Sequence, residues 1–226
     1  MSETDSFIEE VTEEVRRDRL FALYRKYGWI AGVVVVLVVG AASYNEYRKH
    51  SERQAAEAFG NTIMQALSNA DVAKRAEAIK LVGTDDAAAK PFLAMLQAAV
   101  DAENSDRAAA LALLDGLAND AAAAEPYRSL AKLKAVILRG ADQDRAARLA
   151  ILDELSAAGN PFRPLAMEQK ALALYEFGNN QDAIALLLQI LDEPGISQDL
   201  LRRTQQLIVA LGGTLPNAGD VPIEKG

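Results

Sequence analysis

Nineteen consecutive residues, Tyr27 to Asn45, carry no formal charge, and their centre from Val33 to Val39 contains only Val and Leu. A helix of that length rises roughly 30 Å, the thickness of a bilayer's hydrocarbon core. Tyr27 and Trp29 flank one end and Tyr44 and Tyr47 the other, where amphipathic rings prefer the headgroup region. A buried core helix or a Val-rich strand would share the apolar centre, but the length, the missing charge and both aromatic flanks together predict a single transmembrane helix. A cleaved signal peptide is the main rival, since Val39-Gly40-Ala41-Ala42-Ser43 offers small residues. Signal peptides begin short and basic, whereas 26 residues with an acidic start precede this span. Retention as an anchor is the expectation.

The cytoplasmic side of a span keeps the excess of Lys and Arg. Before the span lie Arg16, Arg17, Arg19, Arg25 and Lys26, and after it Arg48, Lys49 and Arg53. Five against three places the N-terminus inside, so the long C-terminal part is expected outside the cytoplasmic membrane, in the periplasm where the cell has one. The head itself reads as a short amphipathic helix, with Ser6 and Glu9 as a capping box and Phe7, Ile8, Val11 and Val15 at helical spacing. It would meet either lipid headgroups or a docking partner; deleting residues 2–15 separates the two.

The composition narrows the chemistry. The chain has no Cys and one His, His50, so no thiolate nucleophile, disulfide framework or Cys-ligated metal is available, and no multi-histidine site. A net charge of −8 opposes a nucleic-acid surface, which needs clustered Lys and Arg. No catalytic residue, cofactor, metal site or small-molecule substrate is expected. Acid pairs such as Asp85-Asp86, Asp142/Asp144 and Asp192-Glu193 fall at helix ends without calcium-loop spacing.

Beyond the anchor the apolar pattern stays helical to about Asn69, and a second helix carries Val72, Ala76, Ile79 and Val82 on one face. Then the chain repeats. Pro91, Pro126 and Pro161 are 35 residues apart, each followed by an aromatic residue, Phe92, Tyr127 or Phe162, and three positions on by Met95, Leu130 or Leu165. A second set recurs in order: Ala109, Leu114, Leu117; Ala147, Leu152, Leu155; Ala183, Leu188, Leu191. Polar breaks around Asn104-Ser105, Gly140-Ala141 and Gly178-Asn179-Asn180 divide each unit into two helices. Helical pairs at a period of 35 to 38 residues predict an α-solenoid, in which each pair buries its apolar face only by stacking on its neighbours. A final helix from Gln198 to Leu211 is expected to cap the stack, and the Pro- and Gly-containing tail 214–226 to be disordered.

The third unit resembles a tetratricopeptide repeat: Ala171, Leu174, Gly178, Ala183 and Pro194 fall near that motif's positions, while Met167 stands for its usual Trp and Lys170 for an apolar residue. The whole arrangement is more specific. The charged head Glu10-Val11-Thr12-Glu13-Glu14-Val15-Arg16-Arg17-Asp18-Arg19, then Tyr27-Gly28, one anchor, and a unit containing Asn160-Pro161-Phe162-Arg163-Pro164-Leu165-Ala166 resemble a proteobacterial family. Its members are membrane-anchored tetratricopeptide-repeat-like proteins described as ancillary subunits of the Sec translocon. The resemblance implies an inner-membrane protein whose periplasmic repeat domain associates with the translocon, with periplasmic chaperones and with exported client proteins. It brings no catalytic motif.

The expected organisation is thus all-α: a cytoplasmic head (1–26), a transmembrane anchor (27–45), a periplasmic repeat domain (46–213) and a tail (214–226). The first helix of each pair lines the binding face of a solenoid. Arg128, Lys132 and Arg139 share one helix face, and Glu168, Tyr175 and Glu176 offer a similar set in the next unit. They read either as a mixed-charge groove for a client segment or as a solvated face. An accessory subunit of a respiratory or cell-division assembly would use the same anchor and repeats.

Overall fold

The computed structural model describes residues 3–216, with side chains for residues 25–30 and 32–216. All regular structure among them is helical: α1 (Glu3–Leu67), α2 (Val72–Lys80), α3 (Lys90–Glu103), α4 (Arg107–Asn119), α5 (Glu125–Arg139), α6 (Arg145–Leu155), α7 (Arg163–Glu176), α8 (Asn180–Leu191) and α9 (Gln198–Ala210), with a 3₁₀ turn at Gly140–Asp142. Of the expected tail, residues 217–226 lie outside the described part. The chain divides into two units at Thr62/Ile63.

The described part of the first unit is helix α1 as far as Thr62; the helix begins at Glu3, so Ser6 sits inside its first turns and not at the N-cap. The stretch following Arg25 is long and apolar enough to cross a membrane. Every described side chain from Arg25 to Ala58 is exposed, so the rest of the described chain does not cover this apolar surface.

The second unit, from Ile63 on, is the solenoid. Its helices pack on their neighbours in sequence: α2 on α3, α3 on α4, and so on to α8 on α9. Two local devices start these helices. Aspartates cap α2, α4 and α6, where the side chains of Asp71, Asp106 and Asp144 accept backbone N–H groups of the first turn. Proline occupies the first turn of α3, α5 and α7, where its missing N–H leaves nothing unpaired.

These caps expose the true register of the repeat. Asp71, Asp106, Asp144 and Asn179 follow one another at intervals of 35, 38 and 35 residues. The same intervals separate Ile79, Leu114, Leu152 and Leu187, and separate Val82, Leu117, Leu155 and Ile190; all eight are buried. Helix α2 is therefore a fourth copy of the second helix of the pair, which the three-unit reading leaves out. The first helices start at Lys90, Glu125, Arg163 and Gln198, again 35, 38 and 35 apart, so α9 is a further first helix.

Four sequence expectations shift by this register. Pro161 lies ahead of α7, and Pro164 takes the first-turn position, because three more residues separate the start of α5 from that of α6 than in the flanking pairs. Met95 and Leu130 then correspond to Glu168, not Leu165, which is exposed. In α8 the fully buried pair is Leu187 and Ile190, with Leu188 and Leu191 only half-buried at its edge. Ala147 is exposed, and its neighbour Arg148 takes the buried position held by Ala110 and Ala183.

One position in the joints between pairs alternates in chemistry. Arg75 pairs with Glu103, and Arg148 with Glu176, each 28 residues on. The corresponding positions of the other two joints are Ala110 with Leu138 and Ala183 with Leu211, which belong to apolar clusters. At this position, charged and apolar pairs therefore alternate along the stack.

The α3–α4 and α7–α8 turns place one residue each in the left-handed region: Ser105 (φ 62°) and Gly178 (φ 82°). They are 73 residues apart, equivalent positions two units on. A Cβ in that region is strained by about 1 kcal/mol. Ser105→Gly is expected to stabilise the protein by about 0.5–1 kcal/mol, read as a raised denaturation midpoint at unchanged slope.

Candidate protein-binding surface

The six residues expected to line a mixed-charge groove are not equivalent in the structure. Lys132 reaches from α5 to Glu154 of α6, 2.6 Å away. Arg139 turns the other way, from α5 to Asp115 of α4. Glu176 is engaged by Arg148. Glu168 is only 3% exposed and holds Arg203 of α9 through two contacts, 2.5 and 2.8 Å. These four side chains tie helices of the solenoid together, the first three between successive helices and Glu168 from α7 to α9. Arg128 is half-buried and Tyr175 exposed, and neither forms an ion pair among the described residues.

The Glu168–Arg203 pair is the most constrained of these. Two of the guanidinium nitrogens, Nε and Nη2, and both carboxylate oxygens take part, a fork geometry that Lys could not reproduce. The hydrogen bond to Glu168 raises the Arg203 pKa above its usual value, against the opposing effect of burial. At Arg148, 4% exposed, one guanidinium contact reaches Glu176 while Nε has no partner. Both pairs lie in helix-to-helix joints and serve the stack.

What the sequence reading passes over is an apolar slot between α3 and α5. It has a volume of about 250 Å³ and is lined by Met95, Ala98, Ala99 and Ala102 of α3, Leu114 of α4, and Lys134, Ile137 and Leu138 of α5. Ile137 is 49% exposed although aliphatic. Lys134 is exposed and takes no part in an ion pair among the described residues. A signal was available: Ala102, Ile137 and Tyr175 are 35 and 38 residues apart, the same position on three successive first helices. Tyr175, which the helix face groups with Glu168 and Glu176, belongs to this line.

The outer face of α9 shows how the stack ends. Where α7 presents Met167, Ala171 and Leu174 to α8, the residues 35 positions on are Arg202, Gln206 and Val209, and all three are exposed. Polar residues at two of three docking positions solvate the terminal face, as a repeat array requires.

Among the described residues no group of three His, Cys, Asp or Glu side chains could hold a metal ion. The surface offers faces, slots and paired charges, the means of binding another chain. No curated protein and no solved structure matches this sequence significantly. Residues 22–195 match the sequence profile of the tetratricopeptide repeat-like domain, a range that begins ahead of the apolar stretch and runs through α8. With most of its length inside that match and the helical pairs stacked as described, the chain belongs to the tetratricopeptide repeat-like domain family.

Proposed function

We propose that this protein is a non-catalytic scaffold held in the inner membrane by one span, with its N-terminus in the cytoplasm and its repeat domain in the periplasm. In this reading residues 1–26 form the cytoplasmic head, 27–45 the anchor, 46–213 the periplasmic part and 214–226 a tail. It acts as an ancillary subunit of the Sec translocon that brings exported proteins to periplasmic chaperones. The observation that carries the scaffold is the solenoid itself, a family fold that typically binds proteins and performs no chemistry. The anchor is supported by the exposed, uncharged course of α1 through residues 27–45. The translocon is supported by the resemblance in the head, Glu10 to Arg19, and in the segment Asn160 to Ala166.

Crosslinking of the tagged full chain in native membranes, followed by identification of the adducts, tests this reading. Translocon subunits and periplasmic chaperones are the expected adducts. A stoichiometric respiratory or cell-division complex in their place would overturn it.

A further inference from the structure

The apolar slot between α3 and α5 has the features of a recognition site for one kind of segment. Its walls are small, Ala98, Ala99 and Ala102, and its floor is Met95 and Leu114. Nothing from the described chain fills it. The exposed Ile137 borders it, and Tyr175, 46% exposed, occupies the equivalent place on the next first helix. Two large apolar side chains at matched positions on successive first helices offer a partner a surface to cover without disturbing the core. They are not needed for stacking, because each stays half outside.

Charge selects among possible occupants. On α5 the neighbouring cations are used internally, Lys132 by Glu154 and Arg139 by Asp115. Lys134, one turn before Leu138 on the slot's rim, has no such acid among the described residues. In a chain of net charge −8, an uncommitted ammonium beside an apolar slot repels basic segments little overall but attracts a carboxylate locally. We propose that this slot receives a protein segment that presents a large aliphatic or aromatic side chain next to an acidic one, the apolar group entering beside Ile137 and the carboxylate meeting Lys134. The inference rests on the scaffold reading above and names the chemistry of its client or partner. Arg128 and the paired residues Lys132, Arg139, Glu168 and Glu176 are not part of the site; Tyr175 extends it.

The test uses the detergent-solubilised full chain and fluorescein-labelled peptides of about ten residues. One carries two leucines three positions apart flanked by glutamates, a second has lysines for the glutamates, and a third has alanines for the leucines. Fluorescence anisotropy should show binding of the first peptide only. Lys134→Glu should weaken it about tenfold and shift preference to the lysine peptide, as reversal of a rim charge does. Ile137→Asp should abolish binding. Both positions are exposed, and the helical circular dichroism and melting temperature of each variant confirm that the fold is kept. No binding by the wild type, equal binding of the acidic and basic peptides, or variants that bind like the wild type would overturn the proposal. So would an Ile137→Asp variant that changes the sedimenting mass of the protein alone, since the occupant would then be a second copy. Failure here is separable from failure of the translocon reading. Translocon adducts recovered equally from wild-type and K134E membranes, with no peptide effect, remove the slot and leave the scaffold. Loss of those adducts in the wild type removes the translocon whatever the peptides do.

Discussion

Truncating Leu187 to alanine is expected to cost about 3 kcal/mol, and the same change at Leu188 about 1 kcal/mol or less. Leu187 has no exposed surface and lies within the cluster of Met167, Ala171, Ala183, Ile190, Leu200 and Ile208. Alanine there removes transfer free energy and leaves a cavity between α7, α8 and α9 that the stacked backbones close only in part. Leu188 is at the edge of the same cluster, where water and neighbouring side chains refill the space. Denaturant unfolding of the full chain followed by helical circular dichroism measures both. Equal costs at the two positions would place the repeat at intervals of five and three, as the sequence pattern reads, and remove the register of four and three found in the structure.

Arg203→Met is expected to destabilise the protein by about 3 kcal/mol, although Arg203 is itself half-exposed. The cost arises at its partner. Glu168 is buried at the position that carries Met95 and Leu130 in the earlier units, and removing its fork of donors leaves a carboxylate shut away from water with no compensating charge. Replacing both, Glu168→Leu with Arg203→Met, should recover most of the loss, because an apolar pair of similar volume needs no desolvation of charge. Melting temperatures of the two single variants and the double variant form the cycle. A double variant no more stable than Arg203→Met would mean that the arginine acts through its stem and not through the buried acid.

The alternation of joints gives these charges a common logic. If α6 slipped by one unit along the stack, Arg148 would face a position such as Leu138 or Leu211 in place of Glu176. A buried guanidinium against an aliphatic side chain is costly, so the charged joints disfavour the misaligned stack. The apolar joints supply burial. An array of identical joints would have no such penalty for slipping, since each repeat contacts only its neighbours.

Much of this was legible in the residues. The helix boundaries at the polar breaks, the last helix from Gln198, and the apolar course of residues 27–45 all follow from periodicity and capping, which act within a few residues. The N-cap positions Asp71, Asp106, Asp144 and Asn179 also carry the fourth copy and the shift to Pro164 in their spacing. The candidate site was less accessible. Arg128, Lys132 and Arg139 do share a helix, but whether a cation is committed depends on acids such as Asp115 and Glu154, which lie on other helices and at no fixed spacing.

By itself, then, the sequence determined the all-helical class, the repeat period and the uncharged span, because local propensity, capping and the 3.6-residue period depend on near neighbours along the chain. Only the tertiary structure decided that Leu187 and not Leu188 is core, that Glu168 is a buried pairing residue, and that Lys134 and Ile137 remain open. Those outcomes turn on rotations of a helix by one residue, about 100°, and on which helix lies against it. Burial and pairing are properties of the stack, where residues 28 to 35 apart in sequence become neighbours.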